Sequence, residues 1–253
     1  MSDPELDAVA RHLARARRVL FVTGAGISAD SGLPTYRGVG GLYEDAFTAE
    51  GLPIEVALSG ETMRRDPALC WRYIAQIEQS CRGARPNRGH AFIAALEGRC
   101  VVTVLTQNVD GLHGAAGSTD VIEIHGNVRT LLCTRCAHST RVPDFSGLAL
   151  PPSCTSCGAV LRPDVVLFGE WLPAAAVGRL RAAMAEPFDL VFSVGTTSVF
   201  PYISAPVVEQ VRSGGVAVEI NPGESGVSRI VTHRLRAGAA AVLGALWDRL
   251  EAA

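Results

Sequence analysis

Two stretches of this sequence carry polar side chains at the ends of apolar runs, and their types can do chemistry. The first is Thr106-Gln107-Asn108-Val109-Asp110, with His113 close behind. The second is Val121-Ile122-Glu123-Ile124-His125-Gly126, where His125 closes the run. Histidine titrates near neutral pH and accepts a proton from a hydroxyl, so His125 is a candidate general base. Asn108 can hydrogen-bond a ribose hydroxyl or a water without changing charge, and Asp110 can orient a polar ligand. Polar groups just past the carboxyl ends of neighbouring strands are where open α/β sheets place ligand chemistry. Nothing resembles an activated protein nucleophile: the sequence has no G-x-S-x-G and no cysteine beside a suitable histidine.

Upstream, Val19-Leu20-Phe21-Val22-Thr23 reads as a buried strand, and Gly24-Ala25-Gly26-Ile27-Ser28-Ala29 follows it as G-x-G-x-x-G/A. Glycine permits the tight turn and lets backbone N–H groups approach a pyrophosphate. Many glycine turns match this pattern; the position directly after the first strand gives it weight. An ordinary dehydrogenase unit continues to a second strand with an acidic residue about twenty positions on. Here a loop, Asp30 to Gly38, comes next, and the next strong strand is Val101-Val102-Thr103-Val104-Leu105. A large insertion therefore separates the two strands. It opens with Gly38-Val39-Gly40-Gly41, a hinge-like entry. It continues with a helical pattern from Pro67 to Arg82, in which Leu69, Trp71, Tyr73, Ile74 and Ile77 are apolar. Such an insert can line or cover a cleft, or simply pack as a small helical unit.

Downstream the texture changes. Cys133-Thr134-Arg135-Cys136 and Cys154-Thr155-Ser156-Cys157 give C-x2-C-x17-C-x2-C. Each pair can put two thiolates on one metal, and two pairs complete a closed tetrahedral site that suits Zn²⁺. With no open coordination position, such a site is structural. The other cysteines, Cys70, Cys81 and Cys100, read as buried small residues.

The remaining elements position these groups. Asp3 to Arg17 is helical in spacing, with cations towards the end that the helix dipole favours. Asn87 starts another helix, near whose N-terminus His90 reads as a packed structural group. Arg162 to Glu170 is extended and Ala174 to Ala185 helical. Strands Leu190–Val194 and Val216–Ile220 end in Gly195-Thr196-Thr197-Ser198 and Asn221-Pro222-Gly223, and Ala239 to Leu250 is a closing amphipathic helix. Small or amide residues at successive strand ends fit a dinucleotide lying across a sheet edge. The 253 residues are 48% hydrophobic and 19% charged, a composition that can bury a core. A net charge of −2 gives no global footprint for nucleic acid. No run of about eighteen apolar residues suggests a membrane span. The acidic start and the paired cysteines favour a cytoplasmic location.

Taken together, Gly24-Ala25-Gly26-Ile27-Ser28, Gly32-Leu33-Pro34-Thr35-Tyr36-Arg37-Gly38, Thr106 to His113, Ile124-His125-Gly126, the two cysteine pairs and Val166-Leu167-Phe168-Gly169-Glu170 resemble a bacterial-type sirtuin. The motifs come in the family's order and span nearly the whole chain. The resemblance implies an α/β fold. A discontinuous Rossmann-like parallel sheet domain (1–36, 88–130 and 163–253) would carry a small inserted domain, made of a helical part (37–87) and a zinc ribbon (131–162). It implies NAD as co-substrate, structural Zn²⁺, and removal of an acyl group from lysine in proteins or peptides. In the chemistry the resemblance implies, the acyl oxygen would attack the ribose, nicotinamide would leave and an alkylimidate would form; His125 would then deprotonate the ribose, and O-acyl-ADP-ribose would be produced. Asn108 would contact ribose and an ordered water, and Asp110 the nicotinamide amide. Gly24, Ala25, Gly26, Ser28, Tyr36, Arg37 and Gln107 would line the NAD pocket. Gly195, Thr196, Ser198, Asn221 and Ala239 would take the adenosine half. The peptide would add as a strand against Phe168, Gly169 and Glu170 and the segment near Val199. An oligomer is not implied, and a monomer is compatible with the pattern.

Two departures bear on specificity. Thr35-Tyr36-Arg37 replaces the Asp-Phe-Arg of many deacetylases and resembles the branch that includes desuccinylases. That branch reads an acyl carboxylate with Tyr-x-x-Arg on the small-domain helix. Here Tyr73 as the tyrosine puts Gln76 at the arginine position, whereas aligning on Trp71 puts Ile74 and Ile77 there. Neither register supplies the arginine, and a buried carboxylate without one is costly. The expectation is a preference for acetyl or other neutral acyl groups, with Arg72 the nearest substitute cation. The rival activities are an NAD hydrolase or ADP-ribosyltransferase on the same scaffold, and a non-catalytic zinc-containing interaction module.

Overall fold

The computed structural model describes residues 4–34 and 47–252. Helix α1 (Pro4–Arg15) buries Leu6, Val9 and Leu13 on one face and leads into β1 (Arg18–Thr23). Two short 3-10 turns, Ala25–Ile27 and Ala29–Ser31, follow in place of a long helix. Helices α2 (Ile54–Ala57), α3 (Gly60–Arg65) and α4 (Pro67–Cys81) form the insertion. The last two start on side-chain caps, Ser59 and Asp66. Helix α5 (Arg88–Leu96) starts in a reciprocal capping box between Asn87 and His90, which gives His90 the structural role expected of it. Then come β2 (Val101–Thr106), α6 (Leu112–Ala116) and β3 (Val121–Glu123). Three antiparallel strands follow, β4 (Gly126–Cys133), β5 (Ser139–Arg141) and β6 (Leu161–Val165). The chain closes with α7 (Ala174–Met184), β7 (Leu190–Val194), α8 (Pro201–Arg212), β8 (Val216–Ile220), β9 (His233–Leu235) and α9 (Ala239–Glu251).

The larger sheet has the order β3-β2-β1-β7-β8-β9, and all its pairings are parallel. This is the doubly wound dinucleotide-fold order, which reverses between β1 and β7. Both faces are covered, as a parallel sheet requires. Phe21 and Phe192, from β1 and β7, stack with centroids 4.7 Å apart in the core beneath α1, α5 and α9. Leu20, Val22, Leu105 and Val191 face the other way, against Ile203 and Val207 of α8.

A separate core joins the helical insertion to the three-stranded sheet. Trp71 and Ile74 of α4 pack with Val128, Leu131, Leu161 and Leu167, and Trp71 Nε1 donates to Leu161 O at 2.9 Å. The second sheet reaches from Gly126 to Val165, wider at both ends than the 131–162 span expected of the cysteine module. Gly126 is the junction. Its φ is +82°, and a Cβ there would lie 1.9 Å from Asp164 O, so only glycine lets β4 leave the first sheet and pair with β6. His125 stands immediately before this junction.

Helix α8 has no counterpart in the sequence reading. Pro201 sits in its first turn and Pro206 lies inside it, and proline ordinarily marks a break. Strand β9 is three residues long, too short for its alternation to register. Among the described residues no helix is long and apolar enough to cross a membrane.

Candidate active site

The carboxyl ends of β1, β2, β3, β7 and β8 deliver their following residues to one edge of the parallel sheet. At the switch point the first glycine loop and the β7 loop are bonded directly: Gly24 N donates to Val194 O at 3.0 Å and Gly26 N to Gly195 O at 2.8 Å. These two N–H groups are therefore engaged in joining the loops, which differs from the expectation that they face a pyrophosphate. A Cβ on Gly24 would come within 2.8 Å of Gly195 O, so glycine serves close approach here.

Asn108 follows β2, and its Nδ2 donates to Gly24 O at 3.1 Å and Ser28 Oγ at 3.2 Å. Ser28 Oγ donates to Asp110 Oδ2 at 2.8 Å, and Leu112 N donates to Asp110 Oδ1 at 2.9 Å. Asp110 is thus a buried carboxylate held by two donors. Gln107 Nε2 donates to Thr196 Oγ1 at 2.7 Å, and Asn221 Nδ2 donates to Thr196 O at 2.9 Å. These bonds lace the ends of β2, β7 and β8 together. Ser198 is buried with φ +52°, and its N–H donates to Thr196 Oγ1 at 3.1 Å. Ala239 begins α9, next to Ala240, whose N–H donates to Asp30 Oδ2 at 3.2 Å. Neutral amides and hydroxyls along a switch-point edge fit a ribose-bearing ligand. Tyr36 and Arg37 lie outside the described residues.

His125 is held from both sides. Its Nδ1 lies 3.1 Å from Gln107 O, and its Nε2 lies 2.8 Å from the Tyr202 hydroxyl. A carbonyl only accepts, so Nδ1 carries the proton and Nε2 is the basic nitrogen. Burial lowers the His125 pKa, partly opposed by the Gln107 carbonyl. The imidazole is accordingly neutral and able to take a proton at neutral pH. His113, placed in the same polar cluster by the sequence, is instead a core group. It is 2% exposed, pairs with Thr23 Oγ1 at 3.0 Å, and burial with the neighbouring His90 pushes it down to about 3.

The segment after β6 runs beside His125, since Val166 N donates to His125 O at 2.9 Å. Phe168 is tied to the insertion: its N–H donates to Leu58 O at 3.0 Å and its carbonyl accepts from Gly60 N at 3.0 Å. Gly169 has φ +78°. The Glu170 carboxylate is gripped by Arg162 through two bonds, of 2.6 and 2.8 Å, and by Leu167 N at 3.0 Å. Burial pushes this carboxyl up, but Arg162 and the Leu167 N–H outweigh it and hold the pKa below its usual range. Val199, at 68% exposure, and Trp171, at 95%, leave large apolar surfaces open. On α4, Tyr73 is buried with its hydroxyl on Glu50 Oε2, Arg72 pairs with the other Glu50 oxygen, and Gln76 faces solvent. Tyr202 and Glu50 escaped the sequence reading. Tyr202 sits in a proline-flanked turn without periodicity, and Glu50 in a loop of no recognisable pattern.

The four cysteines converge. The Sγ atoms of Cys133, Cys136, Cys154 and Cys157 all lie within 4.8 Å of one another. Cys133 and Cys157 are 3.5 Å apart, and Cys136 and Cys154 3.7 Å. A tetrahedron of sulfurs at Zn–S distances of about 2.3 Å has edges of about 3.8 Å, so the tetrad fits a structural zinc site. The Arg135 and Cys136 N–H groups point at Cys133 Sγ and lower its pKa, favouring the thiolate.

Residues 24–201 match the model of the Sir2 family. A Pseudomonas aeruginosa protein named NAD-dependent protein deacylase 2 is 50% identical over 238 residues, covering 92% of this chain and 93% of the relative. A Thermococcus sibiricus NAD-dependent protein deacylase is 37% identical, covering 95% of this chain and 94% of the relative. Among solved structures, a Sir2 homolog–NAD complex superimposes with a TM-score of 0.86 at 33% identity, over 97% of this chain and 94% of that one. The family match over most of the chain, the half-identical relative and the shared architecture agree: this chain belongs to the Sir2 family.

Proposed function

We propose that this chain removes acyl groups from lysine side chains of proteins, consuming NAD and releasing nicotinamide, with acetyl favoured over acidic acyl groups. The observation that carries the reading is the His125 imidazole. Its proton is fixed on Nδ1 by Gln107 O, its Nε2 is basic, and it stands between the dinucleotide edge of the sheet and the Val166–Glu170 segment. The relatives' names and the NAD-bound structural neighbour support the same reading. So does a Sir2 neighbour in complex with a p53 peptide and NAD, at a TM-score of 0.84.

When bound, NAD supplies the ribosyl electrophile that takes the acyl group as nicotinamide leaves. His125 Nε2 accepts the proton of a ribose hydroxyl. Asn108, fixed by Gly24 O and Ser28, orients ribose and a water. Asp110 holds an amide, and Gly24, Ala25, Gly26, Ser28 and Gln107 line the pocket. Gly195, Thr196, Ser198, Asn221 and Ala239 receive the adenosine half. The acyl-lysine peptide adds as a strand between Phe168-Gly169-Glu170 and Val199, which keeps the reacting groups out of water. Four thiolates on zinc hold the small domain, an arrangement suited to the reducing cytoplasm. We assign the Gly126–Val165 sheet and the α2–α4 insertion to that domain, on their common core.

Glu50 accounts for the acyl preference. Its carboxylate already occupies the Tyr73 hydroxyl and the Arg72 guanidinium, so α4 offers neither group to an acidic acyl chain. The function is tested with NAD and one peptide carrying acetyl-lysine. Nicotinamide, free lysine and acyl-ADP-ribose are expected in equal amounts. Nicotinamide release at the same rate without acyl-lysine would make the protein an NAD hydrolase and contradict the reading.

A further inference from the structure

Tyr202 lies in the first turn of α8, and its hydroxyl is 2.8 Å from His125 Nε2. With Nδ1–H committed to Gln107 O, the neutral ring has one in-plane lone pair, on Nε2. Burial raises the phenol's pKa, so the phenol keeps its proton and donates it into that lone pair. Phe200 supports the arrangement: its ring stacks on Tyr202 at 5.5 Å and 14°, and meets His125 edge-on at 6.2 Å and 89°. Phe200 is itself 41% exposed, so the stacked pair borders solvent.

We propose that Tyr202 is a positioning residue for the base: its hydroxyl aims and occupies His125 Nε2 in the ligand-free protein, and gives that place to a ligand hydroxyl on binding. The phenol is an O–H donor standing where a ribose O–H must stand, and one lone pair cannot accept both. Ligand binding therefore carries the cost of breaking the Tyr202 bond, which scales apparent affinity down by the fraction of protein in the open, binding-competent arrangement. The proposal rests on the reading of His125 as the base that receives a ribose hydroxyl.

The test compares wild type with Tyr202→Phe, using full-length protein labelled with ¹⁵N in its histidines. At one fixed pH and without ligand, the His125 Nε2 resonance should move in the variant toward that of an unbonded ring nitrogen, with the Nδ1–H tautomer unchanged. ADP-ribose should bind the variant about three- to tenfold more tightly by calorimetry, the worth of one neutral hydrogen bond. In wild type, ADP-ribose should abolish the Tyr202 contact while Nε2 stays hydrogen-bonded. An unmoved Nε2 resonance, or ADP-ribose binding that is unchanged or weaker, would overturn the proposal; weaker binding with slower turnover would make Tyr202 a permanent relay. Failure of the underlying reading is separate: it would show as full deacylation by His125→Ala.

Discussion

Gly26 and Gly195 touch backbone to backbone across the switch point of the parallel sheet. A Cβ on Gly26 would lie 2.6 Å from Gly195 Cα, and a Cβ on Gly195 would lie 2.5 Å from the Gly26 carbonyl carbon. Neither loop can yield, because each is the direct end of a buried central strand. Gly26→Ala should therefore destabilise by about 1–3 kcal/mol and weaken NAD binding, as seen by denaturant unfolding and calorimetry. Gly178→Ala, where a Cβ meets open space on α7, should instead be neutral or stabilise by about 1 kcal/mol.

Cys133, Cys136, Cys154 and Cys157 bring two knuckles of the second sheet together, and Cys154 is also part of the core that holds α4. Chelation of zinc, or Cys154→Ser, should lower Tm and abolish deacylation, because either removes the closed set of metal–sulfur bonds that joins the two knuckles. A chelated sample with unchanged melting and activity would contradict this role.

His113 gives an acid limit to stability. Burial, with His90 beside it, takes the imidazole from 6.5 down to about 3. The unfolded chain gains a proton below 6.5, whereas the folded chain resists until about 3. Stability from this site is complete above that window and is lost as pH falls through it. His90 and His125, both lowered by burial, act in the same direction. His113→Gln should flatten the decline measured by urea unfolding across the window; an unaltered slope would contradict the assignment.

Glu50 sets the fourth prediction. With Tyr73 and Arg72 on its carboxylate, succinyl-lysine should be processed more slowly than acetyl-lysine. Glu50→Gln should narrow the gap by freeing a guanidinium, with KM for the succinyl peptide falling more than for the acetyl peptide. Faster succinyl than acetyl turnover by wild type would contradict it.

The legible part of the sequence was the part with short period or fixed spacing. The buried strand runs, Val19–Thr23 and Leu190–Val194 among them, and the cysteine pairs need no knowledge of distant contacts. The clustering of Gln107, Asn108, Asp110 and His125 followed from their places after apolar runs. What escaped depends on pairings far apart in the chain. Tyr202 reaches His125 from a helix disguised by two prolines, and the engaged N–H groups of Gly24 and Gly26 depend on a loop from β7. His113 and His125 are both histidines of one polar cluster in sequence, and only packing separates the core group from the one at the sheet edge.

The most direct test of the account is the formation of free lysine from an acetyl-lysine peptide and NAD by wild type and His125→Ala, followed by mass spectrometry. General-base catalysis typically contributes about 10²–10⁴ in rate, so the variant should lose at least about a hundredfold while still binding ADP-ribose. The acid fall in the wild-type rate should lie below the ordinary histidine value, the direction in which burial moves the His125 pKa. Equal deacylation by the two proteins would contradict the assignment of His125 as the base, and with it the reading of this edge of the sheet as the active site.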